Sequence, residues 1–290
     1  MFDEEEHKLR LGDSTFFTHR LEKLKPVEQF FLEELKKYPS VASYDCSAQQ
    51  PFQFWTVNYT SYAGFFMMHP LQDEIKHIQM RDALSHEAND GIDYVKHFSD
   101  RVLNNVANKY THIGSDVGCR DYTKLAVLPG SNLFKAHVSV PKLRWVVEEH
   151  GKLAAIKPHP LTQPLNLEEL KDMLLPSASI LAPTEDMYSI MPYVDTVYAS
   201  HNSESVLHAV CLDKKIEPLS NYNNRLTCGF SHINEILFSS MEPTSDVFKI
   251  FSSYKSGLVN PELQSDWKER IVAYLEYIHK LRLHMRDAYR

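Results

Sequence analysis

The chain has 290 residues, 43% hydrophobic and 24% charged, which is enough apolar material for a buried core without disulfides. A formal charge of −7 argues against a generally basic, nucleic-acid-binding surface. Cys46, Cys119, Cys211 and Cys228 form neither a C-x-x-C pair nor a zinc spacing, which reads as a reducing, cytoplasmic setting without a metal centre.

In chain order, the acidic first ten residues lack the apolar stretch of a secretory signal. No later apolar run nears the roughly 18 residues of a membrane span. Leu21, Leu24, Phe31 and Leu35 recur at helical spacing, Pro26 suits an early turn, and Tyr38-Pro39-Ser40 closes the helix. Residues 50–70 are aromatic and β-branched, with Val57, Tyr59, Tyr62, Phe65 and Phe66 among them, and predict one or two buried strands. Helical spacing returns from Leu71 to about Lys109, punctuated at Asp90-Gly91. Continued back to His69, that helix would place His69, Asp73 and His77 on one face at metal-ligand spacing, although Pro70 disturbs the turn.

The pattern then changes. Short apolar runs begin at Lys124, Leu153, Ser179, Thr196 and Ile216. Between them lie helical stretches at 138–150, with Gly151 as C-cap, at 167–175, with Asn166 as N-cap, near 186–193, and at 203–212. Strands buried on both faces read as continuous apolar runs, so this alternation predicts a parallel sheet. Lys124 to Tyr222 is therefore expected to form a small Rossmann-like α/β domain. The tail carries Trp267, Ile271, Tyr274, Ile278, Leu281 and Met285 on one stripe of a long helix, which predicts packing on its own domain rather than a short coiled coil.

Nine glycines are few for this length, and both G-x-G-x-x-G and the P-loop pattern are absent. Ligands of parallel sheets bind outside the carboxyl ends of the strands, and three such loops stand out. Pro129-Gly130-Ser131-Asn132 follows the first strand, and its glycine allows close backbone approach. Lys157-Pro158-His159-Pro160 follows the second, a stiff turn presenting one imidazole and one cation. Ser200-His201-Asn202-Ser203-Glu204-Ser205 follows the fourth, with hydroxyls at a helix start that favour an anion. Each loop alone could be a plain turn or cap. Together, on one edge of one sheet, they favour a phosphate-bearing ligand held by Lys157, His159, Ser200, Ser203, Ser205, Gly130 and Ser131.

This ordered set resembles the donor-binding half of GT-B glycosyltransferases, nearest the group of sialyl-, polysialyl- and capsule Kdo-transferases. His159-Pro160 matches that group's His-Pro motif, and Ser203 and Ser205 fall where its Ser motif is expected. Asp213-Lys214-Lys215 replaces the Gly-Lys-Pro often found there, and the serines are not adjacent. The resemblance covers about a third of the chain. It implies two Rossmann-like lobes with a long C-terminal helix: residues 1–123 an acceptor-side lobe, 124–242 the donor lobe, and 243–290 helices packing across them. The implied activity is metal-independent transfer of a sugar from a nucleotide-sugar donor, with no further cofactor. The acceptor would be a glycan or hydroxymethylated pyrimidine DNA; Arg20, Lys23, Lys25, Lys280, Arg282, Arg286 and Arg290 offer a basic rim for DNA. Attack by an acceptor hydroxyl calls for a carboxylate base, and Asp73, Glu74 and Asp116 are the candidates. A nucleotide-sugar epimerase-like enzyme and a non-catalytic nucleotide-binding protein are the alternatives.

Overall fold

The structure is a computed structural model that describes residues 23–38, 57–70, 73–108, 121–129, 137–160, 162, 164–174, 176, 178–221, 229–240 and 247–288; for 58, 73, 74 and 285–288 it describes the backbone only. The chain divides into two units. The first comprises residues 1–18 and 95–241, the second 19–94 and 242–290.

The second unit holds α1 (Lys25–Leu35), β1 (Val57–Tyr62), β2 (Phe65–Pro70), α2 (Asp73–Leu84), α8 (Lys249–Ser252), β8 (Leu258–Val259) and α9 (Trp267–Ala288). Strands β1 and β2 form an antiparallel hairpin, and β8 pairs antiparallel with β2. Two residues join the hairpin, Ala63 at φ 51° and Gly64 at φ 89°. That double positive φ is the mark of a type I′ turn, whose twist matches that of the flanking strands. The second Rossmann-like lobe is not found among the described residues, where every strand pair of this unit is antiparallel. The single aromatic block of the sequence resolves into two strands that alternate around a shared core. Pro26 stands in the first turn of α1, where its missing N–H costs nothing. Val27, Phe31 and Leu35 line one face of α1 and pack with Ile271, Tyr274 and Ile278 of α9 over Phe66 and Met68. From Ile271 to Ile278 the stripe on α9 is thus a buried face within this unit; Trp267 and Leu281 are half-buried, and the side chain of Met285 lies outside the described residues.

The first unit contains α3 (Tyr94–Leu103, from Val95 on), β3 (Lys124–Val127), α4 (Val140–His150), β4 (Ala154–Lys157), α5 (Pro164–Met173), β5 (Ser179–Ile180), β6 (Thr196–Ala199), α6 (Ser205–Cys211), β7 (Lys215–Pro218) and α7 (Ser231–Ser239). All five strands pair in parallel, in the order β5-β4-β3-β6-β7. The fold class is therefore α/β, with the alternation read from the sequence in place. Ala126 and Leu128, Ala154 and Ile156, and Tyr198 point to one face, where Leu143, Val146 and Val147 of α4 and Leu170 of α5 cover them. On α4, the Ser139 hydroxyl accepts from the Lys142 N–H at 3.3 Å, and Gly151 ends the helix at φ 53°. Helix α5 begins at Pro164, so Asn166 lies inside it rather than at its cap. A proline suits a first helical turn better than an interior. The expected helix near 186–193 is two single 3₁₀ turns, at 187–189 and 191–193. No helix among the described residues is long and apolar enough to cross a membrane.

Candidate functional site: a cavity at the sheet's switch point

The strand order sets the site. The chain winds from β3 through β4 to β5 on one side, then returns beside β3 as β6 and continues to β7. A reversal of this kind opens a crevice at the carboxyl ends of β3 and β6, the favoured ligand position in open parallel sheets. A cavity of about 110 Å³ lies there. Three strand exits line it: Val127 to Pro129 after β3, Lys157 to Pro160 after β4, and Asn202 to Ser205 after β6. Asn108, Asp186, Tyr188 and Phe230 complete the wall.

Lys157 is the last residue of β4 and only 2% exposed. Its Nζ donates to the Pro158 carbonyl at 2.6 Å and to the Pro183 carbonyl at 2.8 Å. It therefore ties the β4 exit to the β5 exit as well as facing the cavity. Burial pulls its ammonium down to about 8, against the attraction of Asp186 and Glu185. At neutral pH it still carries most of a positive charge. His159 is half-buried in the cavity wall, and its carbonyl accepts from the Thr162 N–H at 2.9 Å to close the turn.

The β6 exit is built differently. The hydroxyls of Ser203 and Ser205 lie 2.6 Å apart, and Ser203 Oγ also accepts from the Ser205 N–H at 3.3 Å. Both serines line the cavity, so the second is no idle neighbour of a cap. Glu204 stands at the N-cap of α6 but makes no capping bond with its side chain. At seven residues α6 is short, and the case for an anion rests on side chains. Ser200 does not line this cavity. It is 1% exposed, its Oγ accepts from the Asn202 N–H at 3.3 Å, and it is absent from the cavity wall. As the first residue after β6 it is still inside the sheet's own packing. Asp213, at the lost glycine, adopts φ 57°, the left-handed conformation that a glycine takes without strain.

Under the wall lies His208, fully buried on α6. Its Nδ1 lies 3.1 Å from the Glu204 carbonyl and 3.3 Å from the Tyr188 hydroxyl, so it bridges two cavity residues. Burial, with Arg101 adding to it, lowers this imidazole to about 4 and keeps it neutral. Its Nε2 has no hydrogen-bond partner. Asp186 is engaged by the Asn108 amide at 2.9 Å and by the Tyr188 N–H at 3.0 Å.

The sheet thus brings together Lys157, His159, Ser203 and Ser205. Gly130, Ser131 and Asp116 lie outside the described residues, as do the side chains of Asp73 and Glu74, whose backbone starts α2. His69 lies within β2, one residue before its end, instead of starting a helix, so it does not share a helical face with Asp73 and His77. No group of three His, Cys, Asp or Glu side chains among the described residues could hold a metal ion. Of the basic rim, Lys23 pairs with Glu262, and Lys280 lies 4.0 Å from Glu276. Sequence reasoning missed Asp186, Tyr188, Glu204 and Phe230. The first two follow β5, so inspection of that third strand exit would have found them; Phe230 carries no such signal. No protein-family model matches the chain, and no curated protein matches it.

Proposed function

We propose that the chain is a GT-B-like glycosyltransferase, metal-independent, whose first unit holds the phosphate of a nucleotide-sugar donor. The observation that carries this reading is the convergence of the β3, β4 and β6 exits on one cavity at the switch point. In sugar transfer the acceptor hydroxyl attacks the anomeric carbon, the bond to phosphate breaks, and its electron pair stays on the phosphate oxygen. Preorganised donors and positive charge lower that barrier when they face the growing charge. His159 and the Ser203 and Ser205 hydroxyls are the donors here, and the Lys157 ammonium supplies charge. Glu204 opposes an anion, but its carboxylate can accept from sugar hydroxyls, and we assign it that role. The proton of the acceptor goes to a carboxylate, with Asp73, Glu74 and Asp116 the candidates. The paired Lys23 and Lys280 and the net charge of −7 favour a glycan acceptor over DNA.

The test is thermal stability against a panel of nucleoside mono- and diphosphates and their sugars. A ligand of the native state raises the midpoint by mass action. One nucleotide should shift the wild type and leave His159→Ala unmoved, and turnover of its sugar conjugate separates enzyme from binder. No shift at millimolar ligand removes the proposal.

A further inference from the structure

The segment from Asn202 to Ser205 lines one side of the cavity, and the loop that carries it is held partly by its own hydrogen bonds. The Ser203 N–H reaches the Ser200 carbonyl at 3.1 Å, and the Asn202 N–H reaches Ser200 Oγ at 3.3 Å. Further restraints come from His137, whose Nδ1 lies 2.9 Å from the Asn202 amide nitrogen, and from α7. Ser231, Asn234 and Glu235 stand at i, i+3 and i+4 and so share one helical face. They address three consecutive loop residues. The Ser231 hydroxyl donates to Asn202 Oδ1. The Asn234 amide, fully buried, donates to the His201 carbonyl at 2.7 Å and to the Ser203 carbonyl at 2.9 Å. Glu235 Oε2 lies 2.7 Å from His201 Nε2.

Peptide planarity turns these contacts into orientation. In a trans peptide the C=O and the following N–H point in opposite directions, and the chain has no cis bond among the described residues. With the carbonyls of His201 and Ser203 fixed on α7, the amides of Asn202 and Glu204 must face away from it. Asn202, Ser203, Glu204 and Ser205 all line the cavity, whereas Ser231 and Asn234 do not.

We infer that Ser231 and Asn234 are positioning residues: α7 is a template that sets the conformation of the 200–205 loop, and through it the cavity's affinity for a phosphate-bearing ligand. The second half of this inference rests on the phosphate reading above; the first half needs no ligand. Hydrogen–deuterium exchange of the full chain measures the loop directly, and calorimetric titration with cytidine monophosphate and uridine diphosphate measures the cavity. In Asn234→Ala, exchange at 201–206 should accelerate at least tenfold, with a smaller rise in Ser231→Ala and recovery in Ser231→Thr, which keeps the hydroxyl. Affinity for whichever nucleotide binds the wild type should fall in the same order, tenfold or more for Asn234→Ala. If Asn234→Ala does not fold, the Ser231 pair decides alone. Unchanged exchange at 201–206, or acceleration spread evenly over the first unit, overturns the inference. So does a loosened loop that binds nucleotide as the wild type does. A loosened loop in a chain whose wild type binds neither nucleotide supports the template and overturns the phosphate reading.

Discussion

The two units bury polar side chains to opposite ends. In the second, Arg270 donates to Asp266 at 2.9 Å, to the Ser252 carbonyl at 2.7 Å and to Asp90 at 3.1 Å. Asp90 accepts from the Tyr94 hydroxyl at 2.6 Å, and Gln264 joins Tyr94 to the Phe251 carbonyl. One cation, Arg270, is shared between the half-buried Asp90 and the exposed Asp266. In the first unit, Lys157, Ser203 and Ser205 turn on a cavity instead; unpartnered buried atoms occur in both units, Nε2 of His208 in the first and the Tyr274 hydroxyl in the second. A connected network holds one conformation and leaves little for a ligand to add. Polar groups gathered around open volume have capacity left over, which is where binding belongs.

The largest expected effect breaks the closed network. Arg270→Ala leaves a half-buried Asp90 carboxylate with only its hydroxyl donors Tyr94 and Ser252 and should cost about 3 kcal/mol in chemical denaturation; a loss under 1 kcal/mol would mean that the pair is solvated. Next comes the backbone of the same unit. Gly257 holds φ 74°, its carbonyl accepts from the Met68 N–H at 2.9 Å, and an added Cβ would collide with the Met68 carbonyl oxygen. Gly257→Ala should therefore cost roughly 2–3 kcal/mol, well beyond a surface substitution. Equal stability of variant and wild type would show that β2 and β8 can part without penalty.

In the first unit the sharper probe is acid. His208 titrates at about 4 in the fold and near its ordinary 6.5 in the unfolded chain. Below pH 6.5 the unfolded chain takes up the proton first. The stability that depends on a neutral His208 is thus complete above 6.5 and is lost as pH falls toward 4, by up to about 1.4 kcal/mol per pH unit. His137, also lowered to about 4 by burial, with His201 adding to it, acts in the same direction. His208→Gln should flatten the slope over that window by up to one proton; an unchanged slope would mean that His208 is not neutral in the fold. The smallest effect is at Asp213, where Asp213→Gly relieves the left-handed strain and should stabilise by roughly 0.5–1 kcal/mol. A loss of stability instead would assign the carboxylate a structural task.

The parallel sheet was legible because its central strands β3, β4 and β6 are buried on both faces, which leaves uninterrupted runs such as Leu125-Ala126-Val127 and Ala154-Ala155-Ile156, whereas the edge strands β5 and β7 are half-exposed. Those runs also marked the strand exits, and with them Lys157, His159, Ser203 and Ser205. The three-stranded antiparallel sheet was only half legible, since Tyr59, Tyr62, Phe65 and Phe66 show strand character without saying that Ala63-Gly64 reverses the chain between them. Ser200, named with the other loop hydroxyls by residue type and proximity, is buried directly after β6 and outside the cavity lining, which residue type does not reveal. Ser231 and Asn234 gave no signal at all. Their role depends on where a helix some 30 residues downstream meets a loop, and no spacing in the sequence encodes that meeting.

The two carbonyl contacts of Lys157 have a consequence for how salt would act on the site. A lysine at the rim of a cavity is a hand that counter-ions can occupy, and raising the ionic strength weakens its hold on an anion. Lys157 is 2% exposed and already engaged with Pro158 and Pro183, so it acts as a fixed field beneath the cavity floor. Mobile ions screen buried charge far less than exposed charge. Binding at this cavity should therefore persist at salt concentrations that strip ligands from an open basic surface.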